Sequence, residues 1–343
     1  MKFNKEIREK RQKLFNIHNR FELIPYKFDG VDKKVYSNFN FSIFTDDYCN
    51  ADCKFCVAQL RFENKGQMYK KFKIENDEEY FKRLDKVLAY IRPLNPTISI
   101  TGGEPTISNR IVGILKLVKK YNFRKKCITT NGSGLLRKVD GKTILDWLIW
   151  AEFNHLNISR THWSTLLNQT IMSFESKYDN LTTEKLRNII KYARENNLRP
   201  RMSCLLLKDG VGSIEAVKDY LTFANDVECD NVIFRETMDF DENNIINNVK
   251  KNYCNKNKIR LNDLWKEIDK DDCFKPVLQN LGYYYYVEVY DYKGICTVTE
   301  SADLKQLDKE KSKHEDIVYE MIFHPNGNLN GSWVDNEDIL LKY

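Results

Sequence analysis

The sequence predicts an α/β fold built as a partial barrel of six β/α units. Between residues 37 and 242, short apolar runs alternate with longer amphipathic runs, which is typical of a parallel sheet covered by helices. Right-handed crossovers curl such a sheet into a full or partial barrel. The polar motifs described below follow strand ends, where such barrels place their active sites. We expect a helical segment over residues 1–36 and a small, mostly β extension over residues 243–343.

The six predicted strands are short runs rich in apolar and β-branched residues. In chain order they are the run through Phe39, Phe41 and Ile43, then Thr97–Thr101, Lys126–Thr130, His155–Ser159, Arg201–Leu207 and Asn231–Arg235.

Five helices fill the intervals between these strands. The first begins after Asn76, whose side chain can accept from a free N–H group at a helix start, and it carries acidic residues in its first turn. It continues through Ile91. The other four are predicted over Ile111 to Val118, Ile144 to Trp150, Thr183 to Glu195 and Ser213 to Asn225.

The two ends of the chain show weaker patterns. A charged, helix-like segment runs from Glu6 to Phe21, and a charge run from Asp308 to Asp316 is expected to be a solvated loop. In the extension we expect a helical stretch and several strand-like runs, the last two joined by a turn at Pro325-Asn326-Gly327. These are Ile259 to Ile268, then Tyr283–Tyr292, Cys296–Thr299, Val318–Phe323 and Leu329–Trp333.

The composition favours a globular protein that is neither secreted nor embedded in a membrane. Of 343 residues, 42% are hydrophobic, which is enough for a sizeable core. The sequence has no run of about 18 apolar residues and no signal-peptide pattern, so we expect a cytoplasmic protein with reduced thiols. The net charge of +6 is spread along the chain without a basic stripe, and we therefore expect no nucleic-acid partner.

Three cysteines follow the first predicted strand within eight residues, in Cys49-Asn-Ala-Asp-Cys53-Lys-Phe-Cys56. Iron–sulfur clusters are bound by cysteine thiolates, and three local ligands would leave one iron of a four-iron cluster open. An open position is typical of a metal site that binds a reactant. A zinc site would need a fourth Cys or His, and the rest of the chain offers no second pair at ligand spacing. Disulfides would suit a small secreted domain.

Polar motifs end the next three strands. Gly102, Gly103 and Glu104 follow the second strand, where glycines let the backbone approach a ligand closely and the carboxylate supplies an acceptor. Asn131 follows the third strand in Thr129-Thr-Asn-Gly132. Ser159 and Arg160 end the fourth, and arginine suits a bidentate bond to a carboxylate. A structural salt bridge is the alternative for Arg160.

The motif C-x3-C-x-aromatic-C, with Phe55 as the aromatic residue, and the segment Gly102-Gly-Glu-Pro105 resemble the signature of the radical S-adenosylmethionine (SAM) superfamily. The resemblance covers roughly residues 38–240. It implies a [4Fe–4S] cluster on Cys49, Cys53 and Cys56 whose open iron binds SAM. An electron then cleaves SAM to methionine and a 5′-deoxyadenosyl radical, which takes hydrogen from a substrate. A flavodoxin- or ferredoxin-type electron donor is implied as well.

The resemblance also implies a set of SAM-binding residues. They are Phe55, Gly102, Gly103, Glu104, Asn131, Ser159 and Arg160. It assigns no further catalytic residue.

The substrate stays open between two classes. A small molecule, such as a nucleotide, sugar or amino-acid derivative, is favoured because the N-terminal region shows no leader-binding segment. The alternative is a maturase that modifies a peptide or protein side chain. The segment Phe234–Met238 is faintly similar to the matching strand of the GTP 3′,8-cyclase of molybdopterin synthesis and identifies no substrate. From another class, an iron–sulfur protein without turnover would not need the Gly-Gly-Glu-Pro motif. We expect an oxidoreductase or lyase.

The extension is expected to shield the reaction and to carry no second cluster. Cys254, Cys273 and Cys296 are dispersed, and Trp333 stands where relatives with auxiliary clusters would place a cysteine in a similar hairpin. The segment from Tyr283 to Trp333 is rich in aromatic residues. We expect it to close the barrel mouth over the substrate, as lids do.

Overall fold

The computed structural model describes residues 3–10, 22–60, 73–175, 181–238, 249–282 and 284–342. Its strands are β1 (Leu23–Phe28), β2 (Val31–Tyr36), β3 (Asn40–Phe44), β4 (Thr97–Thr101), β5 (Lys125–Thr130), β6 (Lys138–Val139), β7 (Lys142–Thr143), β8 (His155–Ser159), β9 (Arg199–Leu205), β10 (Asn231–Arg235), β11 (Phe274–Leu281), β12 (Tyr285–Tyr292), β13 (Ile295–Ala302), β14 (Ile317–Val318), β15 (Met321–Phe323), β16 (Leu329–Asn330) and β17 (Ile339–Leu341). Its α-helices are α1 (Lys5–Lys10), α2 (Val57–Leu60), α3 (Asp77–Ile91), α4 (Ile111–Tyr121), α5 (Ile144–Trp150), α6 (Thr165–Met172), α7 (Thr183–Glu195), α8 (Ile214–Asp226), α9 (Val249–Asn257), α10 (Leu261–Ile268) and α11 (Leu304–Lys313).

One large sheet organises the molecule. Its strand order is β11-β12-β13-β10-β9-β8-β5-β4-β3-β15-β16-β17. The strands from β13 to β15 in this order all pair in parallel, and antiparallel strands flank them on both edges. The six strands predicted from the sequence are the central six of this parallel set. The α/β fold is therefore confirmed, and the parallel sheet is wider than the sequence predicts.

The helices cover one face of the sheet through apolar stripes. In α3 the side chain of Asn76 accepts from the N–H of Glu79 at 3.0 Å, which confirms the predicted helix start. Its inward face buries Tyr80, Leu84, Val87, Leu88 and Ile91. Along β9, Met202 and Cys204 belong to the same core. Ser203 lies between them and therefore faces the barrel interior. None of the described helices is both long and apolar enough to cross a membrane.

The N-terminal prediction is wrong in part. Residues 23–36 form a β-hairpin, β1–β2, instead of continuing a helical segment. The turn residues Asp29 and Gly30 both have positive φ, at 46° and 84°, which is the geometry of a tight two-residue hairpin turn. The Asp-Gly pair was a signal for this turn that the sequence analysis did not use. Of the predicted helix from Glu6 to Phe21, α1 is present, and residues 11–21 lie outside the described residues.

The C-terminal region does not form a separate extension. Its strand β13 pairs with β10 and its strand β15 pairs with β3, so it supplies both new parallel strands. The predicted loop from Asp308 to Asp316 is largely helical, because α11 runs through Lys313. The side chain of Asp303 caps this helix by accepting from the N–H of Gln306, and Leu307 lies on the buried face of the helix. The predicted strand start at Tyr283 lies outside the described residues.

Candidate functional site

The loop that carries the three cysteines follows β3 and is held by the last turn of α6 and the residues that follow it. Asp52 N–H donates to the carbonyl of Ser173 at 3.0 Å, and Lys54 N–H donates to the carbonyl of Ile171 at 3.1 Å. The carbonyl of Asn50 accepts from the N–H of Glu175 at 2.8 Å. These backbone bonds fix the path of the loop without using the cysteine side chains.

The glycines after β4 support the same loop from the other side. Gly103 N–H donates to the carbonyl of Asp46 at 2.7 Å, and Glu104 N–H donates to the carbonyl of Tyr48 at 2.9 Å. A Cβ atom at Gly103 would lie 1.9 Å from the Tyr48 carbonyl oxygen. Gly103 is therefore required by contact between two backbone segments, since any side chain there would displace the residue that precedes Cys49.

The side chain of Glu104 is fully buried and links two loops. Its Oε1 accepts from the N–H of Thr106 at 2.9 Å and from the hydroxyls of Thr106 and Thr130, and its Oε2 accepts from the N–H of Asn131 at 2.6 Å. Burial raises the pKa of Glu104, and these donors oppose that effect. Four donors occupy the carboxylate, so its contribution within the protein is to order the loops.

Asn131 brings the loop after β5 to the cysteines. Its amide nitrogen donates to Oδ1 of Asn50 at 2.9 Å and lies 4.0 Å from Sγ of Cys49. Its Oδ1 accepts from the N–H and hydroxyl of Ser133. The structure therefore places Asn131 beside the first cysteine, and its contact with SAM stays a prediction.

The three thiols are a donor set that fits a [4Fe–4S] cluster. All nine cysteines lie in the described part of the chain, and none forms a disulfide. Burial and the neighbouring thiols of Cys56 and Cys49 raise the pKa of Cys53 well above its usual range. Among the described residues, no group of three or more His, Cys, Asp or Glu converges on one ion position. A four-iron cluster binds each thiolate at a different iron, so it does not require a single shared position.

A cavity of about 280 Å³ lies between this loop and the ends of β8, β9 and β10. Its lining is Cys53, Phe55, Cys56, Val57, Ser159, Thr161, Ser203, Leu205, Arg235, Glu236, Thr237 and Met238. The hydroxyl of Thr237 is buried and has no hydrogen-bond partner among the described residues. A larger cavity of about 530 Å³ lies between α8 and α10, and none of the predicted site residues lines it.

Two of the residues predicted to bind SAM line the cavity, and a third points away from it. Phe55 and Ser159 are on its wall. Arg160, the residue after Ser159, is 2% exposed and donates to the carbonyls of Leu181 and Trp163 at 2.8 and 3.1 Å. Successive side chains of a strand point to opposite faces, so Ser159 faces the interior while Arg160 faces the helices. The guanidinium of Arg160 therefore has a structural role. It donates mainly to backbone carbonyls and does not form the predicted salt bridge within the described residues.

Helix α9 is a part of the site that the sequence analysis did not identify. Lys250 donates to the carbonyl of Cys53 at 2.5 Å and to the carboxylate of Asp52 at 3.0 Å. Cys254 lies four residues later on the same helix and is buried. Burial is the main cause that raises the pKa of Cys254 to about 11, and the neighbouring thiol of Cys56 adds to it. No local pattern marks these residues, because the contact joins positions about two hundred residues apart.

The C-terminal hairpin extends the sheet beside β3. The indole N–H of Trp333 donates to Glu320 at 3.0 Å, and its ring lies 6.4 Å from that of Phe44. Because β15 is the direct neighbour of β3, removing this region would expose the strand that leads into the cysteine loop. The action of the C-terminal hairpin as a lid stays a prediction. Point substitutions test that action better than truncation does, because truncation would also expose β3.

The structure is similar to several solved structures of low sequence identity. SuiB from Streptococcus suis gives a TM-score of 0.47 and 18% identity, covering 69% of this chain and 47% of that chain. Coproporphyrinogen III oxidase (HemN) from Escherichia coli, a radical SAM enzyme, gives 0.40 and 13%, covering 74% and 66%. A radical SAM methyltransferase from Sphaerobacter thermophilus gives 0.41 and 14%, covering 70% and 74%. The chain spans less than half the length of the SuiB chains.

The sequence comparisons give two results. Curated proteins yield no match. The family model described as the radical SAM superfamily matches residues 44–220, just over half of the chain, and this stretch contains the cysteine loop, the glycines after β4 and the loop after β5. Members of that family are enzymes that use a [4Fe–4S] cluster and SAM. The chain belongs to the radical SAM superfamily.

Proposed function

We propose that Cys49, Cys53 and Cys56 bind a [4Fe–4S] cluster and that SAM binds in the adjoining cavity. The observation that carries this proposal is the position of the 280 Å³ cavity, whose wall includes Cys53 and Cys56 on one side and the ends of β8, β9 and β10 on the other. When bound, the cluster and SAM supply a 5′-deoxyadenosyl radical that removes hydrogen from a substrate. All remaining steps depend on how the protein positions and shields these groups.

The residues around the cavity are suited to hold SAM and to exclude water. Phe55, Leu205 and Met238 give the wall an apolar surface on which an adenosyl group can pack. Ser159 and the unpartnered hydroxyl of Thr237 offer hydrogen bonds to polar atoms of the ligand. The backbone after β4 and Asn131 contact the cysteine loop directly, and we place the amino-acid end of SAM on the side of the cavity that faces them.

We propose a small-molecule substrate, such as a nucleotide, sugar or amino-acid derivative. The support is that the strands which end at the cavity carry polar side chains on the face of Ser203, including Asn157 and Arg201, instead of the packed apolar layers that fill closed barrels. Modification of a peptide or protein side chain remains the competing prediction. We also propose that a flavodoxin- or ferredoxin-type protein delivers the electron.

The test is release of 5′-deoxyadenosine from SAM by the anaerobically reconstituted protein in the presence of dithionite. We expect release by the wild type and none by Cys53→Ala, with Cys273→Ala as the matched cysteine control. Cys273 lies outside the site, next to β11. No release by a wild-type protein that contains its cluster would contradict the proposed function and favour a non-catalytic iron–sulfur protein.

A further inference from the structure

The interior face of β9 carries an arginine that the SAM chemistry does not use. Arg201 alternates with the core residues Pro200 and Met202 and shares its face with Ser203, which lines the cavity. It lies two residues before Ser203, which places it about 7 Å deeper along the strand. The guanidinium of Arg201 therefore lies below the proposed SAM cavity, inside the barrel.

Most of the hydrogen-bonding capacity of Arg201 is unused. Its Nε donates to Oδ1 of Asn231 on β10 at 2.8 Å. Within the described residues, its two terminal nitrogens have no hydrogen-bond or ion-pair partner. A guanidinium carries five N–H donors in a planar fork, and the side chain of Arg201 is only half-buried. The free end of this fork is thus available to a ligand.

The surrounding charges leave the interior positive. Arg235 on β10 donates to Glu300 on β13 at 2.7 Å and to the hydroxyl of Ser203 at 2.6 Å. Burial lowers the pKa of Arg201, and the charges of Arg235 and Arg199 lower it further, while Cys296 and Glu300 only partly oppose them. Glu300 is already paired with Arg235, so these groups have an excess of cationic charge that a bound anion would offset.

The neighbour of Arg201 on β8 supports the presence of a ligand independently. Asn157 is the pairing partner of Arg201 between β8 and β9. Its Oδ1 is buried and has no hydrogen-bond partner within the described residues. Buried polar atoms are nearly always satisfied, so an orphaned acceptor beside an unfilled donor fork indicates a group that brings both donors and acceptors.

We propose that Arg201 and Asn157 bind an oxyanion group of the substrate, a carboxylate or a phosphate, inside the barrel. Arg201 accepts the anion on its terminal nitrogens, and Asn157 accepts an adjacent O–H or N–H of the same molecule. The proposal rests on the proposed function, and it narrows the substrate class to anionic small molecules. An anchor about 7 Å further along β9 than Ser203 would hold the rest of the substrate beneath the cavity that SAM would occupy.

The experiment measures anion binding without requiring turnover. The probes are inorganic phosphate and succinate, compared with chloride at equal ionic strength, and calorimetry on the reconstituted full chain reads binding. We expect Arg201→Gln to weaken binding of the effective probe by about tenfold or more, the scale of a lost charged hydrogen-bond pair. Arg201→Lys retains the charge and should bind more tightly than Arg201→Gln. Arg124→Gln removes an exposed arginine and should bind like the wild type.

The outcomes separate this inference from the proposed function. Binding of phosphate alone or succinate alone identifies the source of the oxyanion. Equal binding by wild type and Arg201→Gln, or binding of neither probe by a folded wild type, contradicts the inference. SAM affinity should be unchanged in Arg201→Gln, and an equal loss of SAM binding would instead assign Arg201 to the carboxylate of SAM. Lack of deoxyadenosine release with intact anion binding contradicts the proposed function only.

Discussion

The carboxylate of Glu104 accepts the backbone N–H of Asn131, with 2.6 Å between Oε2 and the amide nitrogen. The N–H of Glu104 donates in turn to the carbonyl of Tyr48, 2.9 Å away, in the cysteine loop. One residue therefore connects the loops that follow β3, β4 and β5. Because the proposed cluster and SAM sites lie on these loops, Glu104 orders the site whether or not it also contacts a ligand.

Glu104→Gln should destabilise the protein. The substitution replaces one acceptor with an N–H₂ donor that faces either the N–H of Asn131 or the donors of Thr106, and a buried unmatched donor costs about 1–3 kcal/mol. We expect a lower free energy of unfolding in denaturant titrations and a lower iron content after reconstitution. Glu195→Gln, at an exposed position on α7, is the matched control. A free energy of unfolding equal to that of the wild type would show that the network around Glu104 is not needed.

Gly103→Ala should reduce cluster incorporation as well as SAM cleavage. The sequence alone places Gly103 in the SAM pocket, where a side chain would occupy ligand space. The structure changes this expectation, since the new Cβ atom would lie 1.9 Å from the Tyr48 carbonyl oxygen and displace the cysteine loop. Iron per chain and the visible absorption of the cluster measure the effect. Gly141→Ala strains a turn at φ 76° but places no atom within 4 Å of the new Cβ, so it controls for a general loss of stability. Full iron content in Gly103→Ala would refute the backbone-contact explanation.

Ser159→Ala and Arg160→Ala should separate binding from stability. Ser159 lines the cavity, and loss of its hydroxyl should weaken SAM binding by a few-fold, about 0.5–1.5 kcal/mol, with little effect on unfolding. Arg160 is buried, donates to two carbonyls and lies 5.1 Å from the ring of Phe223, so its truncation should cost about 2–4 kcal/mol of stability. Equilibrium binding of SAM and thermal unfolding distinguish the two effects. The reverse pattern would return Arg160 to the SAM pocket.

His324 should make stability depend on pH in the acidic range. Burial lowers the pKa of His324 from 6.5 to about 4, and its Nε2 lies 2.9 Å from the carbonyl oxygen of Ser332. The unfolded chain therefore takes up the proton first as the pH falls. The stability from the neutral ring is complete above about pH 6.5 and is lost progressively towards pH 4, which amounts to about 2 kcal/mol between pH 7 and 5.

The measurement compares the free energy of unfolding of the wild type and His324→Gln at pH 7 and pH 5. The variant keeps an N–H donor for the Ser332 carbonyl and should lose less stability over this interval than the wild type. The comparison isolates His324, since the other histidines are common to both proteins. Parallel pH profiles would contradict a neutral, buried His324.

The sequence predicts the repeating core of this fold well because its signals are local. The bounds of β4, β8, α5 and α7 agree with the predicted runs, and the cap at Asn76 forms as expected. The alternation of β8 also predicts that the side chains of Ser159 and Arg160 face opposite sides of the sheet, since adjacent strand residues do so.

The remaining features depend on contacts between distant segments. The bond from Lys250 to the carbonyl of Cys53 joins residues 197 positions apart, and no pattern near either residue predicts it. The same holds for β13 and β15, because their places beside β10 and β3 depend on pairing between distant segments. The contact between Gly103 and Tyr48 is of this kind too, and the sequence alone does not predict it.

The electron paramagnetic resonance spectrum of the reduced, reconstituted protein, recorded with and without SAM alongside an iron determination, tests the central claim most directly. We expect about four irons per chain, one cluster signal that SAM alters because it binds the open iron, and loss of both iron and signal when Cys49, Cys53 and Cys56 are replaced together by alanine. A cluster signal that SAM leaves unchanged, or about eight irons with a remainder that survives the triple substitution, would contradict a single, SAM-binding cluster on these three cysteines.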